Sequence, residues 1–131
     1  MTRLHSVALC GAIGVAFLYA TPAFSHHSNV AFEVTKVVTI TGVVKEFQWR
    51  NPHTWVLLTV DDGKGNKVDW SVEGRAPGVL LRAGWTPKSL VPGEKITVDM
   101  SPAKDGSKTG LIARVTKTDG TILANAPPPT Q

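Results

Sequence analysis

The residues best suited to chemistry are histidines, and they are unevenly placed. His5, His26 and His27 lie in the N-terminal region, and His53 is the single imidazole in the rest of the 131 residues. His26 and His27 directly follow a segment of secretory type. Arg3 supplies a positive start, Val7 to Ala20 an apolar run, and Thr21-Pro22-Ala23-Phe24-Ser25 a small-residue exit with Ala23 and Ser25 at the −3 and −1 positions. Cleavage after Ser25 places an amine and an imidazole on one residue, His26, a nitrogen chelate that suits Cu(II). Cleavage after Ala23 gives a Phe-Ser-His start, whose third-position histidine also builds a square-planar copper or nickel site. His53 would complete the first arrangement if the arm folds back. The competing reading is that the paired histidines are solvated and that His53, beside Pro52, bonds backbone groups at a corner. The cofactor expectation is none, with copper as the possible exception held by His26, His27 and His53.

His53 belongs to Lys45-Glu46-Phe47-Gln48-Trp49-Arg50-Asn51-Pro52-His53-Thr54-Trp55, where Asn51-Pro52 interrupts an apolar run and forces a corner. Trp49 and Trp55 flank that corner and Trp85 follows a predicted helix stop, so these three are candidates for an aromatic rim that stacks on a flat or sugar-like molecule. Trp70 is core by its parity. The same tryptophans could instead fill the core, where each would bury about 150–250 Å². Glu73 and Arg82 bracket the predicted helix and could pair with each other or face a ligand. Trp49, His53, Trp55, Glu73, Arg82 and Trp85 together make the candidate ligand face. Glu46 and Glu73 could be read as the carboxylate pair of a glycoside hydrolase, held about 5–10 Å apart, but their spacing does not require it and surface ion pairs are the commoner fate. There is no serine nucleophile elbow, no phosphate-cradling glycine loop and no His-x-x-x-His spacing. No catalytic residue is expected. The expectation is a non-enzymatic module for a small ligand or a periplasmic protein, with copper binding as the alternative.

Composition narrows the setting. Formal net charge is +4, and removing residues 1–25 takes away Arg3 and no acid, leaving +3. The charges are interleaved with no basic stripe, which argues against nucleic acid. Cys10, the one cysteine, lies inside the secretory segment behind Leu9, where a lipid-attachment box wants a small residue. Residues 26–131 therefore carry no thiol, and neither a disulfide nor a thiolate metal site is available to them. The apolar run is shorter than the ~20 residues of a membrane span, so a cleaved signal is expected, with a retained anchor as the competing reading. The expected location is periplasmic or secreted, without a stable membrane anchor after cleavage.

The elements that must position these residues are strands. An extended arm is expected over 26–36, a barrel domain over 37–123 and a disordered Pro-rich tail over 124–131. From Val37 the even positions Val38, Ile40, Gly42 and Val44 share a face, but after Lys45-Glu46 the large apolar residues move to odd positions, Phe47 and Trp49. Such a parity change marks a bulge. A second strand, Trp55 to Val60, turns through Asp61-Asp62-Gly63-Lys64-Gly65-Asn66 into a third with Val68, Trp70 and Val72 inward and Asp69, Ser71 and Glu73 outward. Arg75 to Ala83 predicts the one helix of the domain, with Pro77 in its first turn and Gly84 to stop it. Ile96, Val98 and Met100 line a fourth strand, Leu111, Ala113 and Val115 a fifth, and Thr121-Ile122-Leu123 a short return. Three strands, a short helix and two strands is the order of an all-β, OB-like five-stranded barrel; an open antiparallel sheet or small sandwich is the alternative.

His26-His27-Ser28, Glu46-Phe47-Gln48-Trp49, Asn51-Pro52-His53-Thr54-Trp55, Trp70-Ser71-Val72-Glu73, Arg82-Ala83-Gly84-Trp85 and Pro92-Gly93 occur in this order. The set resembles small exported bacterial proteins grouped as domain-of-unknown-function family 6152, over His26 to about Leu123. The paired histidines and the Asn-Pro-His-x-Trp corner are its specific parts. The resemblance implies an exported β-barrel and no catalytic residues.

Overall fold

The computed structural model describes residues 28–126. The predicted secretory segment, His26, His27 and residues 127–131 lie outside that range. Strand β1 (Val38–Gln48) is the longest and pairs on both edges, with β2 (Trp55–Asp61) and with β4 (Lys95–Pro102), both antiparallel. Its register with β2 runs Val44↔Leu58 and then Glu46↔Leu57, so Lys45 is an extra residue. This is the bulge that the parity change predicts, and it adds the local twist a closed barrel needs. Gly42 faces both neighbours, and a Cβ there would lie 2.7 Å from the Thr59 carbonyl oxygen. Only glycine lets the backbones come that close.

Strand β3 (Lys67–Glu73) forms the expected hairpin with β2, from Asp61↔Lys67 to Trp55↔Glu73. A short helix, α2 (Pro77–Arg82), follows and ends at Gly84, whose φ of 89° is the left-handed stop expected there. Strand β5 (Thr109–Lys117) runs antiparallel to β4 and parallel to β3, through Ser71↔Thr109, Val72↔Gly110 and Glu73↔Leu111. That contact closes the sheet, ordered β3-β2-β1-β4-β5 with β6 (Ile122–Ala124) on the outer edge of β5. The result is a closed five-stranded OB-like barrel.

Val44, Val56, Leu58, Val72, Ile96, Val98, Met100, Ile112 and Val115 fill its interior, and Leu80, Trp85 and Leu90 plug one side. Each such aliphatic side chain contributes about 1.5–3 kcal/mol by leaving water. Alternation predicts β2 and β4 correctly. In β3, Val72 is fully buried while Val68 and Trp70 are half-buried. Lys108 places its ammonium 5.3 Å from the Trp70 ring centroid, so Trp70 spans core and surface.

Strand β5 departs from expectation. Leu111 is half-buried and Ala113 exposed, whereas Gly110, Ile112 and Val115 are buried. The ladder explains it: Met100 pairs with Ile112 and Asp99 with Arg114, which leaves Ala113 as the extra residue of a second bulge. The arm and the tail depart too. Instead of an extended arm, Ser28–Ala31 makes one helical turn, α1, and Phe32 is buried in a bridge to Ala103. Ala124 belongs to β6 and Asn125 is buried, so ordered structure continues past the predicted start of the tail.

On the outer face, Asp99 accepts 2.6 Å hydrogen bonds from the Thr39 hydroxyl and from Arg114 Nε. The Thr39 bond first, and Arg114 second, hold its carboxyl below the ordinary 3.8. A carboxyl lowered in the folded state stabilises the fold above its unfolded value and loses that contribution as pH falls through the lower folded value. Stability should therefore drop below about pH 4. Asp99→Asn should be less stable at neutral pH and show a shallower acid limb in urea midpoints measured from pH 6 to 2.5.

Candidate ligand cleft at the barrel corner

The corner between β1 and β2 is built by backbone bonds to the segment after β3. Gly74 N–H donates to the Thr54 carbonyl at 2.9 Å, and the Thr54 hydroxyl donates to the Arg75 carbonyl at 3.0 Å. Thr54 is fully buried, and a Cβ on Gly74 would run into its hydroxyl. The two segments thus lie against one another, and the residue preceding each is brought alongside its counterpart. Those residues are His53 and Glu73. Nδ1 of His53 lies 2.8 Å from Oε1 of Glu73, with the side chains 25% and 9% exposed.

Strand alternation places Glu73 outward, as expected, but it is buried because the corner and residues 74–76 roof this end of the barrel. Burying a carboxylate is costly unless it is paired, and the imidazole supplies the partner. With Nδ1–H donating to the carboxylate, the ring is held in one orientation and Nε2 is the nitrogen turned away from Glu73. A cleft of about 300 Å³ opens beside the pair, lined by His53, Glu73, Gly74, Arg75, Ala76, Val79 and Leu111.

Asn125 secures the floor. Its Oδ1 accepts from Arg75 N–H at 2.9 Å, its Nδ2 donates to the Ile112 carbonyl at 2.6 Å, and its own N–H donates to Ala113 at 3.1 Å. It thereby ties the chain end to both the cleft and β5.

Of the six residues expected on a ligand face, the structure brings two together, His53 and Glu73. Trp85 is 1% exposed and donates its indole N–H to the Ala124 carbonyl at 2.7 Å. It is core and not rim, because helix α2 and β6 close over it. Trp49 and Trp55 are half-buried and do not line the cleft. Trp49 meets Phe47 edge-on at 5.6 Å, and Phe47 lies 5.9 Å from Trp85, so these rings brace the corner from below. Arg82 is exposed at the end of α2 and does not line the cleft, whereas Glu73 pairs with His53. Glu46 is exposed beside the first bulge and does not share the cleft with Glu73.

Sequence reasoning missed Arg75, Ala76, Val79, Leu111 and Asn125. Arg75 to Val79 carried only the signal of a Pro-initiated helix start, which by itself does not mark a pocket wall. Asn125 carried none. Among the described residues, no group of three or more His, Cys, Asp and Glu side chains is placed to hold a metal ion; His26 and His27 lie outside them.

None of the curated proteins and none of the solved structures compared matches this chain. A family model does match, over residues 15–114, which include the corner, the His53–Glu73 pair and the closure of β3 on β5. The chain therefore belongs to the family of unknown function DUF6152.

Proposed function

We propose that this chain is an exported, non-enzymatic binding module that takes a small ligand in the cleft beside His53 and Glu73. One observation carries the reading: a carboxylate on the outward face of a strand is buried and pairs with an imidazole on the wall of a 300 Å³ cleft. For stability alone such a pair is a poor investment, because an apolar residue in place of Glu73 would avoid the desolvation cost. The lining mixes His53, Glu73 and Arg75 with Ala76, Val79 and Leu111, and a few polar groups on an apolar wall are what small-molecule sites present. By fold analogy, OB-type barrels bind ligands on the face of strands two and three, near the loops after strands one and four. His53 and Glu73 occupy that face.

The test is amide chemical-shift mapping of residues 26–131 with a fragment set of small carboxylates, sugars and flat aromatics, in the presence of EDTA. Shifts should cluster at Gly74 to Val79, weaken at least tenfold in His53→Ala, and disappear in Val79→Trp, which fills the cleft. Binding that maps to Trp49 and Trp55 instead, or that persists in Val79→Trp, would sink the assignment.

A further inference from the structure

We infer that the ligand of this cleft is a short-chain monocarboxylate, its carboxylate held by the guanidinium of Arg75 and its apolar tail lying on Ala76, Val79 and Leu111. This rests on the assignment of the cleft as the binding site and names the class of molecule that occupies it. Of the residues that line the cleft, Arg75 is the one with a permanent positive charge. Its backbone is held from both sides. The N–H donates to Asn125 Oδ1 at 2.9 Å, and the carbonyl accepts from the Thr54 N–H at 3.3 Å and the Thr54 hydroxyl at 3.0 Å. The side chain, by contrast, is exposed and makes no ion pair or hydrogen bond among the described residues. Lys45, Lys67, Arg114 and Lys117 each have a carboxylate within 3.1 Å. Arg75 thus brings to the cleft a cation that no carboxylate of the described residues neutralises.

The donor chemistry selects the headgroup. A guanidinium on a fixed backbone offers a planar fork of N–H donors that matches the two oxygens of a carboxylate. Glu73 then limits how much negative charge the cleft accepts. Its carboxylate belongs to the same lining and is paired with His53 at 2.8 Å, so an anion on Arg75 shares a small space with an existing one. Like charges at such range repel. A dianion such as phosphate or a dicarboxylate meets about twice that repulsion against one cation, and a monoanion suits the site better.

The rest of the lining selects the tail. Ala76, Val79 and Leu111 are half-buried, which leaves apolar surface for a ligand to cover. The only ring in the lining is the His53 imidazole, so a sugar or a flat aromatic finds no tryptophan, tyrosine or phenylalanine to stack on. At about 300 Å³ the cleft is at the small end of ligand sites, which holds the tail to a few carbons.

The experiment titrates residues 26–131 with acetate, butyrate and hexanoate at constant ionic strength, in a buffer free of other carboxylates and of phosphate, and follows amide shifts and heat. Butyrate should shift Gly74 to Val79 and bind with a Kd of about 1 mM or tighter. Each methylene that stays within the cleft should tighten binding by up to about fourfold. Butyramide, which has the same shape and no charge, should bind at least about tenfold more weakly than butyrate. Arg75→Met keeps the stem and all three backbone bonds, and should cost a similar factor, with Arg75→Lys recovering part of it. Arg82→Met, exposed and outside the lining, should leave the Kd unchanged. Circular dichroism confirms folding, and the comparison of butyrate with butyramide needs no variant. Equal binding of butyrate and butyramide, unchanged butyrate affinity in Arg75→Met, or tighter binding of phosphate or succinate at the same amides would overturn the inference. If sugars or flat aromatics shift Gly74 to Val79 and are lost in Val79→Trp while carboxylates do nothing, the cleft stands and only its ligand class falls. If no fragment reaches those amides, both fall.

Discussion

Trp85→Ala should cost about 3–5 kcal/mol, the range for truncating a large aromatic in a packed core. Trp85 is 1% exposed, meets Phe47 at 5.9 Å and bonds the Ala124 carbonyl at 2.7 Å. Removing it leaves a void under α2 and a carbonyl without its donor. Domains of this size have about 5–15 kcal/mol in total, so the variant should be close to unfolding at room temperature, with its urea midpoint by circular dichroism lowered accordingly. Trp85→Phe separates the two contributions, since it keeps most of the ring volume and loses the donor. It should cost about 1–2 kcal/mol. A Trp85→Ala protein with parental stability and impaired binding would return Trp85 to the ligand face and refute the packing described above.

Asn125→Ala should be the second most damaging change, at about 2–4 kcal/mol. The substitution removes little apolar volume, so its effect comes from hydrogen bonds. It strands the Arg75 N–H and the Ile112 carbonyl, and an enclosed polar group without a partner costs about 1–3 kcal/mol. The bond to Arg75 spans 50 residues of sequence, and the bond to Ile112 spans 13. Their loss should therefore loosen the cleft floor and β6 together. Hydrogen exchange should show faster exchange at Arg75 and along β6, with the β1–β2 ladder little changed. Unaltered protection at Arg75 would mean that Asn125 is a bystander.

Both substitutions act on residues whose place in the structure the sequence left undecided, and the reason lies in how each kind of information is encoded. The bulge at Lys45 was readable because Val44, Phe47 and Trp49 change parity within a few residues. The second bulge was not, because Leu111, Ile112 and Ala113 are all apolar and fit either parity. The corner at Asn51-Pro52 and the stop at Gly84 follow from backbone restrictions of single residues. Phe32 looked like part of a loose arm because nothing nearby announces that Ala103 will cover it.

By itself the sequence determined an all-β chain, the order of its strands, the positions of its turns and the first bulge. Each of these is set by interactions between residues close along the chain, or by the two-residue period of a strand. Only the tertiary structure decided that Glu73 is buried, that it pairs with His53, that Trp85 lies in the core, and that Asn125 holds the cleft floor. Those outcomes depend on which outward face becomes roofed when β3 closes on β5, and burial of that kind is created by segments that meet only after the barrel has closed.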